Sequence, residues 1–482
     1  MSDHHKRGSF GSNIGFLMAA VGSAVGLGNI WGFPYKMGNN GGFVFLLVYL
    51  ILAVFVGVCV MMGEMAIGRK TRQGSAGAYR AISQKFSWLG WLAVIAGFVI
   101  LCFYLVLGGM VLRYAVGYFL AMFGVDTFGD PASFFGSFLT NGWSMVIFFA
   151  LFAVINAAIV MGGVEGGIER FNKFAMPALF FLLLIVLIYV ACQPGAGEGY
   201  RYIFGVNFEP LKTDFLGVVK TAAGQMFFSL SLGMAIMLTY GSYLPTEENI
   251  QKDTLIIVIF DTLIAIMAGM VVLPACSAFG LDYGAGPGLL FSTMQMVFYN
   301  MGGFIGNLMG FLFYVLVFLA AISSSISIME GTVATRVDKN FKQNKGGKSG
   351  GRRRAALLIT LAALVLGLPV ALDGLGSGVA GGALVDAPAT ILNIAVHGWN
   401  DCWLDLYDMI SEGILMPLGS LIMALCIGWG WGTDMILDEC AKCGAKPWGR
   451  KFFELCYKVI TPIGMLIVLY GQIMSFFGCS RG

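Results

Sequence analysis

Apolar residues run in long stretches separated by short polar or basic segments. Each stretch is long enough to cross about 30 Å of hydrocarbon as a helix. They fall at 12–35, 42–67, 87–121, 143–161, 167–191, 216–242, 251–275, 302–336, 355–372, 404–430 and 453–477. None alternates apolar with polar positions as a barrel wall must, so the pattern predicts eleven transmembrane helices and no strands. The positive-inside rule orients them. With the N-terminus cytoplasmic, most of the 29 basic residues fall in inward segments, including Arg69–Arg72, Arg336–Arg354 and Lys442–Lys451. The outer loops around Asp282 and over Asp373–Asp401 hold no Lys or Arg. An odd span count then puts the C-terminus outside.

Two stretches are ill suited to a continuous helix. The first carries Gly22, Gly26 and Gly28 at its centre; the sixth carries Ser229-Leu-Ser-Leu-Gly233. Glycine costs about 1 kcal/mol against alanine in a helix interior, and unwound backbone in lipid needs internal partners. Small residues also permit close helix packing. Here, though, the interruptions occupy matching positions, as the first members of two five-helix halves. Interrupted segments so placed point to a transport site at mid-membrane.

Composition agrees with a bilayer setting. Residues AVILMFWYC make up 58% of the 482, charged residues only 11%, and mean hydropathy is +0.82. A net charge of +3 argues against a nucleic-acid partner, and the hydropathy against a disordered or coiled-coil chain. The ten cysteines suggest no disulfide scaffold, and Cys440 and Cys443 lack the neighbours of a zinc or redox site. The polar Met1–Arg7 segment, followed by a long glycine-rich run, does not read as a cleavable signal peptide.

Several motifs carry a resemblance. Gly22-Ser-Ala-Val-Gly-Leu-Gly-Asn-Ile-Trp31, Phe33-Pro34-Tyr35 and Asn40-Gly41-Gly42 resemble the first-helix signature of the neurotransmitter:sodium symporter family. Gly63-Glu64, Gly68-Arg69, Gln225–Gly233 and Ser323–Met329 match further family motifs, and the resemblance runs from about residue 7 to 477. It implies an all-α, leucine-transporter-like fold of the bacterial eleven-helix branch: a 5+5 inverted repeat with helices 1 and 6 unwound at mid-membrane. The implied divisions are an N-terminal segment 1–11, a first repeat 12–191, a second repeat 216–430 and a final helix 453–477.

The resemblance also assigns residues. One sodium ion would lie among the carbonyls of Ala24 and Ser229, the side chains of Asn29, Ser229 and Asp261, and the substrate's carboxylate. A second would take the carbonyls of Gly22, Val25 and Ala320 with the hydroxyls of Ser323 and Ser324. Na⁺ is a hard cation and favours oxygens. The substrate would meet Ala24, Gly26, Leu27, Gly28, Tyr104 and Ser229, with its side chain among Ile100, Phe228, Ser231, Met234, Ser324 and Ile328. Freed amides at Leu27 and Gly28 suit a carboxylate. Gly26, where amine-transporting relatives carry Asp, leaves room for a substrate that brings its own. Glu64 would bond the unwound backbone, and the Gly167–Pro177 spacing resembles a motif that permits local unwinding.

Asp261 supplies a carboxylate at helix depth, which insertion scales put at about 2.5–3.5 kcal/mol. It would stand in for the chloride of chloride-dependent relatives, since Ala265 occupies the position of another known substitute. For the gates, Arg7 and Asp338 match an inner salt bridge, and Phe10 lies where Trp is usual. Asp408 matches an outer acidic residue, but its usual arginine partner is Gly32; Lys36, one turn on, is a candidate replacement.

The reading is therefore a bacterial plasma-membrane symporter that moves a hydrophobic or aromatic amino acid with two Na⁺ and no chloride. An amino-acid sensor of the same build and an ion channel are the alternatives. An enzyme is disfavoured, because the three histidines, His4, His5 and His397, form no ligand set.

Overall fold

The computed structural model describes residues 8–282, 286, 288–342, 350–376, 385–392 and 401–476. Helices account for nearly all of these, and no strand occurs among the described residues. Helix α1 (Asn13–Ala24) is capped by Ser12, whose hydroxyl accepts the Gly15 N–H. Helix α2 (Gly28–Asn39) follows after a break and is bent 47° from α1. Then come α3 (Phe43–Thr71), the short α4 (Ser75–Ile82), α5 (Gln84–Ala121), α6 (Trp143–Met161) and α7 (Val164–Ala191). The 216–242 stretch forms α8 (Phe215–Ser229) and α9 (Ile236–Tyr243). Helices α10 (Ile250–Phe279), α11 (Gly303–Lys339), α12 (Gly351–Gly376), α13 (Trp403–Trp431) and α14 (Arg450–Met474) complete the described bundle.

Among the described residues, nine helices are long and apolar enough to cross a membrane, or up to ten if α1 and α2 form one span. The sequence predicted eleven. The difference lies in the first stretch, divided between α1 and α2, and in the sixth, where neither α8 nor α9 alone is long enough to span. Helix α7 starts with a wide turn over Val164–Glu169 and then runs unbroken over Arg170–Ala191, with Pro177 inside it.

Exposed apolar side chains follow helical spacing on the outward faces: Ile147, Leu151 and Val154 on α6, Phe181, Ile185 and Ile188 on α7, Leu357, Leu361 and Val365 on α12. Ridges of this kind suit lipid and would be a liability in water.

Inside the bundle, glycines let backbones touch. A Cβ on Gly68 would lie 1.9 Å from the Leu238 carbonyl oxygen, and one on Gly241 would lie 2.3 Å from that of Met65, so α3 and α9 meet backbone to backbone. At the end of α3, the buried Arg69 is held by the Glu439 side chain (Nε–Oε1 3.0 Å) and by the carbonyls of Glu439 and Glu248. A second pair joins the half-buried Arg352 to the buried Glu330, which also accepts the Tyr243 hydroxyl at 2.6 Å. Both satisfy charges that would otherwise be costly in a dry interior.

Candidate functional site

The break between α1 and α2 begins where Val25 turns extended (φ −75°, ψ 99°). Backbone groups freed there find side-chain partners. Asn29 Oδ1 accepts the Gly26 N–H at 3.1 Å, and the Tyr104 hydroxyl accepts the Leu27 N–H at 2.9 Å. Gln225 Nε2 donates to the Gly28 carbonyl at 2.7 Å. The freed carbonyls on the other side face α11. Ser324 Oγ lies 3.3 Å from Gly22 O and 3.2 Å from Val25 O; Ser323 Oγ lies 3.4 Å from Val25 O and 2.9 Å from Ala320 O. These five residues are the set proposed for the second sodium.

The first set also draws together. Asn29 Nδ2 donates to Asp261 Oδ1 at 2.7 Å, and Ser229 Oγ donates to Asp261 Oδ2 at 2.9 Å. Tyr49, which sequence reasoning did not single out, donates its hydroxyl to Asp261 Oδ2 at 3.2 Å. Asp261 is fully buried, and its hydrogen-bond partners are neutral donors. A carboxylate so enclosed is stabilised by a cation. Ala24, whose carbonyl was expected in this set, ends α1 and lines the cavity described next.

Between the two sets lies a small cavity of about 10 Å³. Its walls hold the predicted substrate residues except Leu27, Ile100 and Ser229, and add Ser23. Leu27 contributes its N–H to Tyr104, Ser229 turns to Asp261, and Ile100 is fully buried one turn before Tyr104 on α5. Gly26 forms a cradle: a Cβ there would lie 2.3 Å from Ser324 Oγ and 2.6 Å from the Tyr104 hydroxyl. Gly28 is as restricted, at 2.7 Å from the Phe228 ring. Ser231 bridges the two breaks by donating to the Ser23 carbonyl at 2.9 Å.

The α8–α9 break takes its shape from its own backbone. Ser231 (φ 55°), Gly233 (φ 74°) and Ala235 (φ 68°) all lie in the left-handed region. For Ser and Ala this costs about 1–3 kcal/mol each. Glu64 steadies the turn by accepting the Gly233 N–H at 2.7 Å.

At the ends of the bundle the predicted gates are partly visible. Arg7 lies outside the described residues. Asp338 Oδ2 accepts the Gly74 N–H at 2.6 Å, and Phe10 is buried edge-on against Phe16, Tyr240 and Tyr243. At the other end Lys36 forms its ion pair with Glu412 (2.9 Å), one turn beyond the expected Asp408. Residues four apart share a helix face, so Asp408 lies on the same side of α13 as Glu412.

Helix breaks that point backbone oxygens at buried hydroxyls and a carboxylate, around a small chamber, define a secondary transporter of cation-coupled type. The chain belongs to the sodium:neurotransmitter symporter family, whose sequence profile matches residues 7–127 and 138–380. It is 32% identical over 473 residues to the uncharacterised sodium-dependent transporter YhdH of Bacillus subtilis, covering 96% of this chain and 97% of that protein. An uncharacterised sodium-dependent transporter of Methanocaldococcus jannaschii is 30% identical over 484 residues, covering 96% of this chain and 90% of that protein. Among solved structures, MhsT in complex with L-phenylalanine superposes with a TM-score of 0.83 at 34% identity, covering 97% of this chain and all of that one. The protein is thus a multi-pass, sodium-coupled transporter and not an enzyme.

Proposed function

We propose that this transporter carries a hydrophobic or aromatic L-amino acid into the cell with two Na⁺, by alternating access and without chloride. The observation that carries this reading is the convergence of two oxygen sets on opposite sides of the α1–α2 break, with an apolar chamber between them. In this reading Asn29, Ser229 and Asp261, with the Ala24 carbonyl, hold one ion. Ser323, Ser324 and the carbonyls of Gly22, Val25 and Ala320 hold the other. The substrate's carboxylate meets the amides near Leu27 and Gly28 and the Tyr104 hydroxyl, and completes the first ion's shell. Its side chain lies among Phe228, Met234 and Ile328, a lining that suits a large apolar group. The L-phenylalanine in MhsT supports that preference.

Asp261 provides the negative charge that balances the first ion, so no anion need accompany it. Asp338 with Arg7 closes the inner end; Asp408, with Lys36 and Glu412, closes the outer end. Eleven helices in two inverted five-helix repeats (12–191 and 216–430), with breaks at mid-membrane, a cytoplasmic N-terminus and an external C-terminus in a bacterial plasma membrane, complete the arrangement. Two Na⁺ entering at about 100 mV yield about 4.6 kcal/mol, and a tenfold gradient adds about 2.8, enough for about 10⁵-fold accumulation of a zwitterion.

The test is uptake of each of the twenty amino acids into proteoliposomes. Inward Na⁺ should drive saturable uptake of the apolar and aromatic ones, unchanged when gluconate replaces chloride. Uptake that persists with K⁺ in place of Na⁺, or ohmic current without substrate, would overturn the proposal.

A further inference from the structure

Behind the α8–α9 break lies a second chamber, separate from the one between the oxygen sets. It is a small space of about 10 Å³ between α3, α4, α5 and α13, room for little more than one water-sized particle. The broken segment divides its residues between the two: Ser231 and Met234 face the first chamber, Gly233 and Ala235 the second. Three buried polar side chains line the second chamber: Glu64, Ser75 and Ser420, at 4%, 0% and 1% exposure. Glu64 Oε1 is taken by the Gly233 N–H and the Leu238 N–H also bears on the carboxyl, but no hydrogen bond of normal geometry reaches Glu64 Oε2, Ser75 Oγ or Ser420 Oγ among the described residues. No lysine or arginine lines the chamber.

A buried carboxylate oxygen without a partner is costly, and so is each hydroxyl. Water could bridge all three atoms yet would leave the negative charge uncompensated. A proton on Glu64 would also cancel the charge, and a wild-type thallium map without a peak would mark that case. A cation does both jobs. Each serine hydroxyl can turn its proton away from Glu64 and leave its lone pairs free. A carboxylate with two hydroxyls is an oxygen set suited to a hard monovalent ion. We propose that Glu64, Ser75 and Ser420 form a further monovalent-cation site, distinct from the two sets around α1, which braces the α8–α9 break from behind. Because Glu64 also holds the Gly233 amide, ion binding there biases the backbone that carries Ser231 and Met234.

Crystals of the full-length protein soaked in thallous acetate test this directly, since Tl⁺ is an alkali surrogate with strong anomalous scattering. The wild type should give a peak bounded by Glu64, Ser75 and Ser420. Glu64→Gln, which mimics the protonated acid, should lose it while keeping any peak at Ser323 and Ser324. The Ser75→Ala/Ser420→Ala double variant, which leaves the Gly233 contact in place, should also lose it. A wild-type map without the peak, or a peak that persists in either variant, overturns the proposal. Neither readout depends on which substrate is carried or on how uptake is coupled.

Discussion

Around Val25–Leu27 no residue adopts a positive φ, and the groups the backbone releases are taken up by Asn29, Tyr104, Gln225, Ser323 and Ser324. Around Leu230–Ala235 the chain itself turns left-handed at three residues, with one carboxylate, Glu64, pinned to it. The first break is therefore held by the side chains that would also touch ions and substrate, so ligands can reshape it. The second is set by backbone dihedrals and the Glu64 contact, and fewer of the side chains that would touch substrate and the two sodium ions hold it. Sensitivity to those ligands should concentrate in the first.

The comparison can be broken in order of effect. Asp261→Asn removes the charge that Asn29, Ser229 and Tyr49 surround; sodium-driven uptake without chloride should fall about 100-fold and recover partly when chloride is supplied. Uptake that is unchanged and indifferent to chloride would refute that role. Gly26→Ala forces a methyl against Ser324 and Tyr104, and at about 1–3 kcal/mol of overpacking should weaken substrate binding about 5- to 100-fold, read by equilibrium binding of labelled amino acid. Ser324→Ala withdraws the hydroxyl from the Gly22 and Val25 carbonyls; the half-saturating Na⁺ concentration should rise about fivefold, consistent with about 1 kcal/mol per hydrogen-bonding group. Ala235→Gly is the counter-test in the second break. Relief of left-handed strain and the extra unfolded-state entropy of glycine nearly cancel, so thermal stability should stay within about 1 kcal/mol and Na⁺ affinity should not move. A large shift in Na⁺ affinity there would erase the distinction between the breaks.

The first break was legible because three glycines sit within seven residues of an otherwise helical run. The second was legible only in part: Gly233 signals it, but Ser231 and Ala235 take positive φ against their own preferences, which tertiary context imposes. The oxygen sets came from resemblance, since nothing local in Ser323–Ser324 tells which carbonyls they face. Partners far apart in the chain were missed for the same reason. Tyr49 reaches Asp261 across 212 positions and Lys36 reaches Glu412 across 376, and neither pairing leaves a periodic trace. Tyr49 did offer one weak sign, a polar tip within the second apolar stretch. Gln225 offered another, an amide at the end of α8 beside the unwound turn.

The backbone contact between α3 and α9 has a mechanical corollary. With the Leu238 carbonyl 1.9 Å from where a Gly68 Cβ would stand, and the Met65 carbonyl 2.3 Å from one on Gly241, neither helix has room to slide or roll against the other. The two must swing as one lever. Any tilt of the post-break half of this segment is then geared to α3, and the fulcrum falls within the six residues Leu230–Ala235. A bulkier residue at Gly68 or Gly241 would prise the lever apart while leaving both chambers' side chains in place.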